Sequence, residues 1–206
     1  MLIKINGGIL APKGFKMKTF CAGIKHSETD TVFITSEEAA VCAGVYTDNA
    51  VKAAPVKWSS FITNNFESTR GVLINIGTAN VAAGDEGYES TVQLAKLAAD
   101  SIGVMPENIL CASIGTAEKK IPVSNFEDKF RDITFDNTYD CPLIIEIAAE
   151  FDIDGKKVKI GGLSVPVSEG GIIACVTTDA GITKELLDKA LASDYEDTYN
   201  MICSSW

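Results

Sequence analysis

Hydroxyl side chains stand next to carboxylates in two neighbouring segments of the chain. Ser168 precedes Glu169 in a glycine-rich stretch, and the pair Thr177 and Thr178 precedes Asp179. A hydroxyl beside a carboxylate can act as a nucleophile with a general base, as acyl transfer requires. Each segment also has an ordinary interpretation. The first is typical of a solvated loop, and in the second Asp179 could begin the cap of a helix that follows a strand end.

A loop of small residues, 77–84, follows a continuous apolar run at 71–76. The apolar run predicts a buried strand, and a small-residue loop at its end would let the backbone approach a ligand closely. Asn80 and Gly84 in this loop have two interpretations. They could form a tight turn that needs a side-chain amide and a permissive backbone, or they could face a bound substrate.

Metal and cysteine chemistry have little support in the sequence. His26 is the single histidine, and the six cysteines include no Cys-x-x-Cys pair. One histidine without paired cysteines cannot build a zinc cluster, and the acidic residues show no spacing that selects a metal. We therefore expect no metal and no cofactor. We expect reduced core thiols, because four cysteines have small or apolar neighbours: Cys42, Cys111, Cys175 and Cys203.

The composition favours a soluble globular protein. The chain has 206 residues, of which 46% are hydrophobic, and this can fill a core without disulfides or metals. The net charge is −10 and the basic residues are scattered, so we expect no nucleic-acid partner. No apolar stretch approaches the ~20 residues that cross a bilayer, and the first residues lack a signal-peptide pattern. We therefore expect a cytoplasmic protein without a membrane partner.

Local patterns predict two helices, a hairpin turn and an extended stretch. Apolar residues recur at helical spacing over 89–102. The dipeptide at 154–155, Asp-Gly, predicts a β-hairpin, and Thr183 predicts the cap of a later helix. Pro55 favours an edge or extended stretch over 51–58.

Apolar and β-branched runs predict strands between these elements. The runs lie at 31–35, 40–46, 71–76, 108–113 and 171–176. Strands and helices therefore alternate in a mixed order without internal repeats. This order predicts an α/β fold, a layered sandwich of mixed β-sheets with flanking helices.

Four segments carry a family resemblance when they are taken together. They are GGILAPKGF at 7–15, AGVYTDNAVKAAPV at 43–56, NIGTAN at 75–80 and TTDA at 177–180. In this order and at these separations they resemble the bifunctional ornithine acetyltransferase, or glutamate N-acetyltransferase, family of the cyclic arginine pathway. The resemblance covers most of the chain and weakens between positions 125 and 171.

The resemblance implies acetyl transfer from N-acetylornithine to glutamate through an acyl-enzyme on a threonine. Self-cleavage of the preceding peptide bond would expose that threonine, whose freed amine can act as its base. The resemblance also implies an oxyanion hole formed by a Thr-Gly pair and an amino acid or N-acetyl amino acid as substrate. It makes Asn80, Thr177, Thr178 and Asp179 the candidates for substrate binding.

The residues for this chemistry are missing at three places. Gly171 stands at the position of the nucleophile, and glycine has no hydroxyl. In the expected oxyanion pair, Ile114 replaces the threonine while Gly115 remains. The segment 163–168 contains no lysine, where the family has one that touches substrate. Ser168 is the nearest hydroxyl to the vacated position and is therefore the candidate for a substitute nucleophile.

We interpret residues 1–206 as one ornithine-acetyltransferase-like domain, similar to the family's α chain over 1–170 and to the start of its β chain over 171–206. Two hypotheses follow: an acetyltransferase whose activity is lost or altered, or a truncated, non-catalytic homologue that acts as a binding or subunit-like protein. Truncation would leave an apolar face partly uncovered at Ile172, Ile173 and Val176. We therefore expect a homo-oligomer or a complex with a companion chain.

Overall fold

The computed structural model describes residues 2–25, 28–117, 120–137, 139–166, 172–192 and 200–205. These residues form nine strands and four α-helices. The strands are β1 (Ile3–Lys4), β2 (Phe15–Phe20), β3 (Thr31–Val45), β4 (Ser68–Thr78), β5 (Ile109–Thr116), β6 (Ile145–Ile153), β7 (Lys156–Pro166), β8 (Ile172–Thr178) and β9 (Asn200–Ser205). The helices are α1 (Ala54–Asn65), α2 (Gly84–Ile102), α3 (Ser124–Arg131) and α4 (Lys184–Ala192). None of these described helices is long and apolar enough to cross a membrane.

Hydrogen bonds join the strands in the order β1-β6-β7-β8-β9-β3-β4-β5, with β2 paired to β3. Strand β9 links the two sets of strands, because it runs parallel to β8 and antiparallel to β3. The β4–β5 pair is also parallel. The segments predicted as two strands over 31–46 are one long strand, β3, whose pairing with β4 shifts between Thr35 and Ala40.

The β2–β3–β4–β5 set is covered on both of its faces. On one face Phe20 and Phe33 contact the ring of Phe130 in α3, edge to face. On the opposite face Ile74 belongs to a core that also includes Ile173 of β8, and β5 is in contact with β8. The helices therefore lie outside stacked layers of strands, which confirms the predicted layered α/β sandwich.

Strand β4, helix α2 and strand β5 form a βαβ unit. The run 71–76 lies within β4 and is buried, as expected for a strand in a parallel pair. Helix α2 begins at Gly84 and ends before Gly103, whose φ of +70° gives the left-handed cap that glycine favours. Because α2 connects parallel strands, the loop 77–84 lies at the carboxyl end of β4. Ligands bind at this edge in open α/β sheets.

The hairpin and the last helix are as the sequence predicts. Strands β6 and β7 pair antiparallel around Asp154 and Gly155, and both turn residues have positive φ, at +52° and +80°. At the start of α4, the backbone N–H of Leu186 donates to Thr183 Oγ1 at 3.4 Å. Thr183 is therefore the N-cap residue, as its hydroxyl indicates.

The extended stretch predicted over 51–58 is wrong, because α1 begins at Ala54. Pro55 lies in the first turn of this helix, where its missing N–H removes no intrahelical hydrogen bond. Trp58 is buried one turn later, and its Nε1 donates to the carbonyl of Ile109 at 2.9 Å. This hydrogen bond and the buried indole hold α1 against β5.

The sequence predicts an uncovered apolar face at Ile172, Ile173 and Val176, and the structure does not expose the two of these side chains that it describes. Ile173 is buried and Val176 is half-buried, while the side chain of Ile172 lies outside the described residues. Ile173 packs into the core between the strand layers, so the expectation was wrong for it. Three of the large apolar side chains that face solvent lie on β6, separated by even numbers of positions: Ile145 (58% exposed), Ile147 (65%) and Ile153 (46%).

The described cysteines are mainly core thiols. Cys21 is half-buried, and four others are buried, namely Cys42, Cys111, Cys141 and Cys175. Burial raises the pKa of the Cys111 thiol to about 12. Burial also raises the pKa of Cys42 to about 11, although Lys184 opposes this shift. The side chain of Cys203, and His26 as a whole, lie outside the described residues.

Alkylation of the native protein by iodoacetamide at pH 8 is expected to modify Cys21 before Cys42 and Cys111. Only the thiolate reacts, and a pKa of about 11 leaves Cys42 about 0.1% ionised at pH 8. Peptide mass spectrometry over time measures the order of modification. The control is urea-denatured protein, in which these three cysteines should react at similar rates. Equal rates in the folded protein would contradict this assignment of buried thiols.

Candidate functional site

The predicted oxyanion positions lie at the carboxyl end of β5. Gly115 is in register with Gly77 of β4 and has a φ of +140°. A Cβ at Gly115 would lie 2.7 Å from the Cα of Gly77, so only glycine fits this approach of two strands. Ile114 is 7% exposed and belongs to the apolar core. A buried hydrocarbon therefore occupies the position where the resemblance places a threonine hydroxyl.

Asn80 connects the end of β4 to both neighbouring helices. It has a φ of +50°, and its side chain is buried, with 1% of the residue exposed. Its Nδ2 donates to the carbonyl of Gly87 at 2.8 Å and to Thr91 Oγ1 at 3.0 Å. Its own carbonyl accepts from the backbone N–H of Ala54 at 3.1 Å. These bonds support the turn interpretation of Asn80.

The side-chain oxygen of Asn80, Oδ1, bears on the second interpretation, in which Asn80 faces a bound substrate. Oδ1 is buried and has no hydrogen-bond partner among the residues that the structure describes. An unpaired buried acceptor costs about 1–3 kcal/mol. Asn80 also lines a cleft.

A cleft of about 600 Å³ lies between the start of α1 and the start of α2. Besides Asn80, its polar lining consists of Lys52, Lys57, Asp85, Tyr88 and Glu89, and we call it the lysine–carboxylate cleft. Within the described parts of the chain, none of its two lysines and two carboxylates forms an ion pair. The neighbouring Glu86, by contrast, is paired with Lys120. The cleft can therefore offer both signs of charge to a ligand.

Sequence reasoning did not identify the charged residues of this cleft. Lys52 lies within the second family segment, and Asp85 follows the third, but the two segments are far apart in the chain. Helices α1 and α2 are in contact, and this contact brings the two segments together. The only signal in the sequence was the small-residue loop that ends at Gly84, directly before Asp85.

Backbone groups are the hydrogen-bond partners of all three side chains in the segment 177–179. Thr177 Oγ1 donates to the carbonyl of Ile9 at 2.6 Å, and Thr178 Oγ1 donates to the carbonyl of Lys159 at 2.8 Å. Asp179 Oδ1 accepts from the N–H of Lys159 at 2.8 Å. These bonds fit the strand-end interpretation. Asp179 fastens β7 rather than capping α4, so that part of the prediction was wrong.

The first and fourth family segments meet at Ile9. The N–H of Ile9 donates to Glu146 Oε1 at 2.9 Å, and the hydroxyl of Tyr139 donates to Glu146 Oε2 at 2.5 Å. Burial and the Glu146 carboxylate together raise the pKa of Tyr139. Gly161 permits this approach, because a Cβ there would lie 2.8 Å from the Cα of Ile9. Glu146 of β6 and Thr177 of β8 thus hold the N-terminal segment against the sheet.

Two of the predicted catalytic positions lie outside the described residues, namely Ser168 and Gly171. In the described ranges, no three side chains of His, Cys, Asp or Glu stand close enough to hold a metal ion. A second cleft, of about 510 Å³, is lined mainly by apolar residues of β6, β7 and α4, among them Phe151, Val158 and Leu187. Among the predicted site residues, Asn80 therefore lies near the carboxyl end of the β4–β5 pair. The residues 177–179 instead form hydrogen bonds to the backbone of Ile9 and Lys159.

Solved structures share this fold and define its class. ArgJ from Bacillus halodurans aligns with a TM-score of 0.75 at 21% identity, covering 82% of this chain and 95% of that chain. Ornithine acetyltransferase from Mycobacterium tuberculosis, solved with ornithine, aligns at 0.69 and 22%, covering 82% and 96%. An L-aminopeptidase D-Ala-esterase/amidase from Ochrobactrum anthropi, a variant of the Ntn hydrolase fold, aligns at 0.55 and 11%, covering 96% and 73%. The protein therefore has a layered α/β fold of the Ntn hydrolase type.

Sequence comparison places the chain within that class. The ArgJ family model matches residues 16–205, and the chain belongs to the ArgJ family. The arginine biosynthesis bifunctional protein ArgJ of Synechocystis is 31% identical over 96% of this chain and 52% of that protein. The glutamate N-acetyltransferase of Methanocaldococcus jannaschii is 30% identical over 96% and 53%. The family resemblance is thus confirmed, and the chain spans about half the length of these curated relatives.

Proposed function

We propose that this ArgJ-family chain binds an amino acid or N-acetyl amino acid, and that the acetyl transfer of the arginine-biosynthesis enzymes is lost or altered in it. The main support is Ile114, whose buried side chain stands where the resemblance requires a hydroxyl donor beside Gly115. Restoring a hydroxyl at this position would place a polar group inside the apolar core. The replacement is therefore part of the fold and not a surface change.

The chemistry of acyl transfer explains why these changes matter. A tetrahedral intermediate needs fixed hydrogen-bond donors for its oxyanion, and the loss of one donor lowers the rate by about 10²–10³. The covalent route also needs a nucleophile, and Gly171 has neither hydroxyl nor thiol. Glycine also cannot begin the N→O acyl shift through which such a chain would cleave itself. The changes at Ile114 and Gly171 thus affect the same reaction.

Other hydroxyls have only a limited ability to replace the nucleophile. Thr177 and Thr178 are buried and already donate to backbone carbonyls, so neither is poised to attack a substrate. Ser168 is the remaining candidate near position 171, with Glu169 as its possible base. We propose it as the residue on which any residual acyl transfer would depend.

The chain is expected not to cleave itself. Self-cleavage needs a hydroxyl or thiol directly after the scissile bond, and the 170–171 pair is Gly-Gly. Intact-mass spectrometry of freshly purified and of incubated protein should give one species of 21.9 kDa. Two fragments that break within 167–171 would contradict the proposal and identify Ser168 as a working nucleophile.

A non-catalytic, subunit-like role is the second candidate, and the exposed isoleucines of β6 favour it. Ile145, Ile147 and Ile153 point to the same side of the strand, since even numbers of positions separate them. Contiguous exposed apolar surface commonly marks a protein interface. We propose that this face contacts a second copy or a companion chain.

Sedimentation is expected to show a dimer or a larger assembly that the double substitution Ile145→Lys and Ile147→Lys dissociates. Two buried charges at an apolar interface oppose association, because their desolvation is not compensated. Met105→Lys is the matched control, since Met105 is as exposed as Ile147 but lies outside β6, in the turn between α2 and β5. A clean monomer of the unmodified protein over a wide concentration range would contradict the subunit-like role.

A further inference from the structure

Strands β6, β7 and β8 carry apolar side chains on both of their faces. Toward the other strand layer, Leu163 and Ile173 are buried in the core. On the outer face, Phe151 of β6 lies opposite Val158 of β7, and Ile160 follows on the same side. Side chains alternate between the two faces of a strand, so the outer set is distinct from the core set. A sheet that is apolar on both faces needs a covering layer on each side.

Helix α4 covers only one part of this outer face. Its residues Leu187 and Leu191 pack on Ala43 of β3, and β9 lies between β3 and β8 in the sheet. The apolar cleft of about 510 Å³ opens beside α4, over β6 and β7. No described helix covers the outward side chains of these two strands. We call this set the β6–β7 strip: Ile145, Ile147, Phe151, Ile153 and Ile160.

The β6–β7 strip has the width of one helix. Neighbouring strands lie about 4.8 Å apart, so two strands present a surface about 10 Å wide. A helix with its side chains is about 10–12 Å in diameter. The outer face thus has one part that carries a helix and one part that could receive a helix. In a two-fold dimer both copies use the same surface, so the helix of each copy can fill the bare part of the other.

The exposed side chains of α4 suit this position. Leu186 is 58% exposed, although its neighbour in the sequence is buried. The antiparallel register places Lys4 and Lys156 on the same side as the exposed isoleucines of β6. Within the described parts of the chain, neither lysine forms an ion pair. Glu185 lies beside Leu186 and pairs only with Lys189 at the surface, a weak type of contact that leaves the carboxylate available.

We propose that the partner of this face is a second copy of the chain, related by a two-fold axis that places α4 of each copy on the β6–β7 strip of the other. Leu186 then packs among the isoleucines of the strip, and Glu185 lies toward Lys156 of the other copy. The inference rests on the subunit-like role proposed above. It adds which element covers the face and which charges meet there.

The test measures the dissociation constant of the dimer by sedimentation equilibrium. Leu186→Lys buries an uncompensated charge in the contact, and we expect at least about tenfold weaker association. Lys156→Glu and Glu185→Lys each bring like charges together, and we expect the same loss from each. The double variant with both changes restores opposite charges, so its dissociation constant should return to within about threefold of the unmodified value.

Matched controls lie on α3, which packs on the other strand layer through Phe126 and Phe130. Lys129→Glu and Glu127→Lys make the same charge reversals at exposed positions of this helix. They should leave the dissociation constant unchanged. All of the substituted side chains are exposed in the single chain, and ¹⁵N spectra of each variant are expected to show the fold retained.

The outcomes separate this inference from the subunit-like role. It alone would be overturned if Ile145→Lys with Ile147→Lys dissociated the dimer while the α4 and Lys156 variants associated as tightly as the controls. It alone would also be overturned if the double charge reversal associated no more tightly than either single reversal. A clean monomer of the unmodified protein over a wide concentration range would overturn both.

Discussion

Replacing Asp30 with alanine is expected to lower the free energy of unfolding by at least about 3 kcal/mol. Asp30 is fully buried, and its carboxylate accepts from the backbone N–H groups of Ala22 (2.7 Å), Ile24 (2.6 Å) and Lys25 (3.1 Å). Alanine would leave these donors without their partner, and each unsatisfied buried group costs about 1–3 kcal/mol. The backbone carbonyl of Asp30 accepts from the N–H of Ile76, so this residue lies directly against the strand that leads to the site.

Urea denaturation measures this effect directly. Asp100→Ala is the matched control, because its carboxylate is exposed and pairs only with Lys96; we expect a change within about 1 kcal/mol. Asp30→Asn keeps the size of the side chain but turns an NH₂ group toward backbone donors, so an intermediate loss is expected. A loss below about 1 kcal/mol for Asp30→Ala would show that the three donors find other partners.

Restoring the nucleophile alone is expected not to restore acetyl transfer. Gly171→Thr supplies a hydroxyl, but Ile114 offers no donor at the position where the resemblance implies one, and the loss of one oxyanion donor lowers a rate by about 10²–10³. The resemblance also implies a lysine that touches substrate near 163–168, and this segment contains none. Groups that act as a unit do not recover one residue at a time.

The matched control for this variant is Gly170→Thr, which offers a hydroxyl one residue away. Both variants should give background rates when labelled acetyl on glutamate is counted. Transfer by Gly171→Thr but not by Gly170→Thr would mean that the side chain at position 114 contributes little to the rate of acetyl transfer. That result would contradict the interpretation that Ile114 disables the oxyanion hole.

The fold could be predicted from the sequence where local signals agree with tertiary contacts. Helix α2, the β6–β7 hairpin and the Thr183 cap each have a strong local signal, and each is present. Helix α1 was missed because Pro55 suggests extended backbone, although proline is tolerated in the first turn of a helix. The burial of Trp58 against β5 favours helix α1, and no local sequence pattern reveals this contact.

The candidate site was only partly predictable for the same reason. The close approach at Gly115 follows from its register with Gly77, and a lone glycine in a sequence does not reveal that partner. The hydroxyls of Thr177 and Thr178 looked available for chemistry, but their acceptors come from distant parts of the chain. The lysine–carboxylate cleft joins residues from two segments that only the contact of α1 with α2 brings together.

The most direct test of the account is transfer of labelled acetyl from N-acetylornithine to glutamate by the purified, unmodified protein. The glutamate N-acetyltransferase of Methanocaldococcus jannaschii, assayed in parallel, serves as the reference. We expect no transfer above background, and no acetyl adduct on the protein by mass spectrometry. Turnover by the unmodified chain, or a trapped acetyl group on Ser168, Thr177 or Thr178, would contradict the proposal that acetyl transfer is lost and would identify the hydroxyl that carries it.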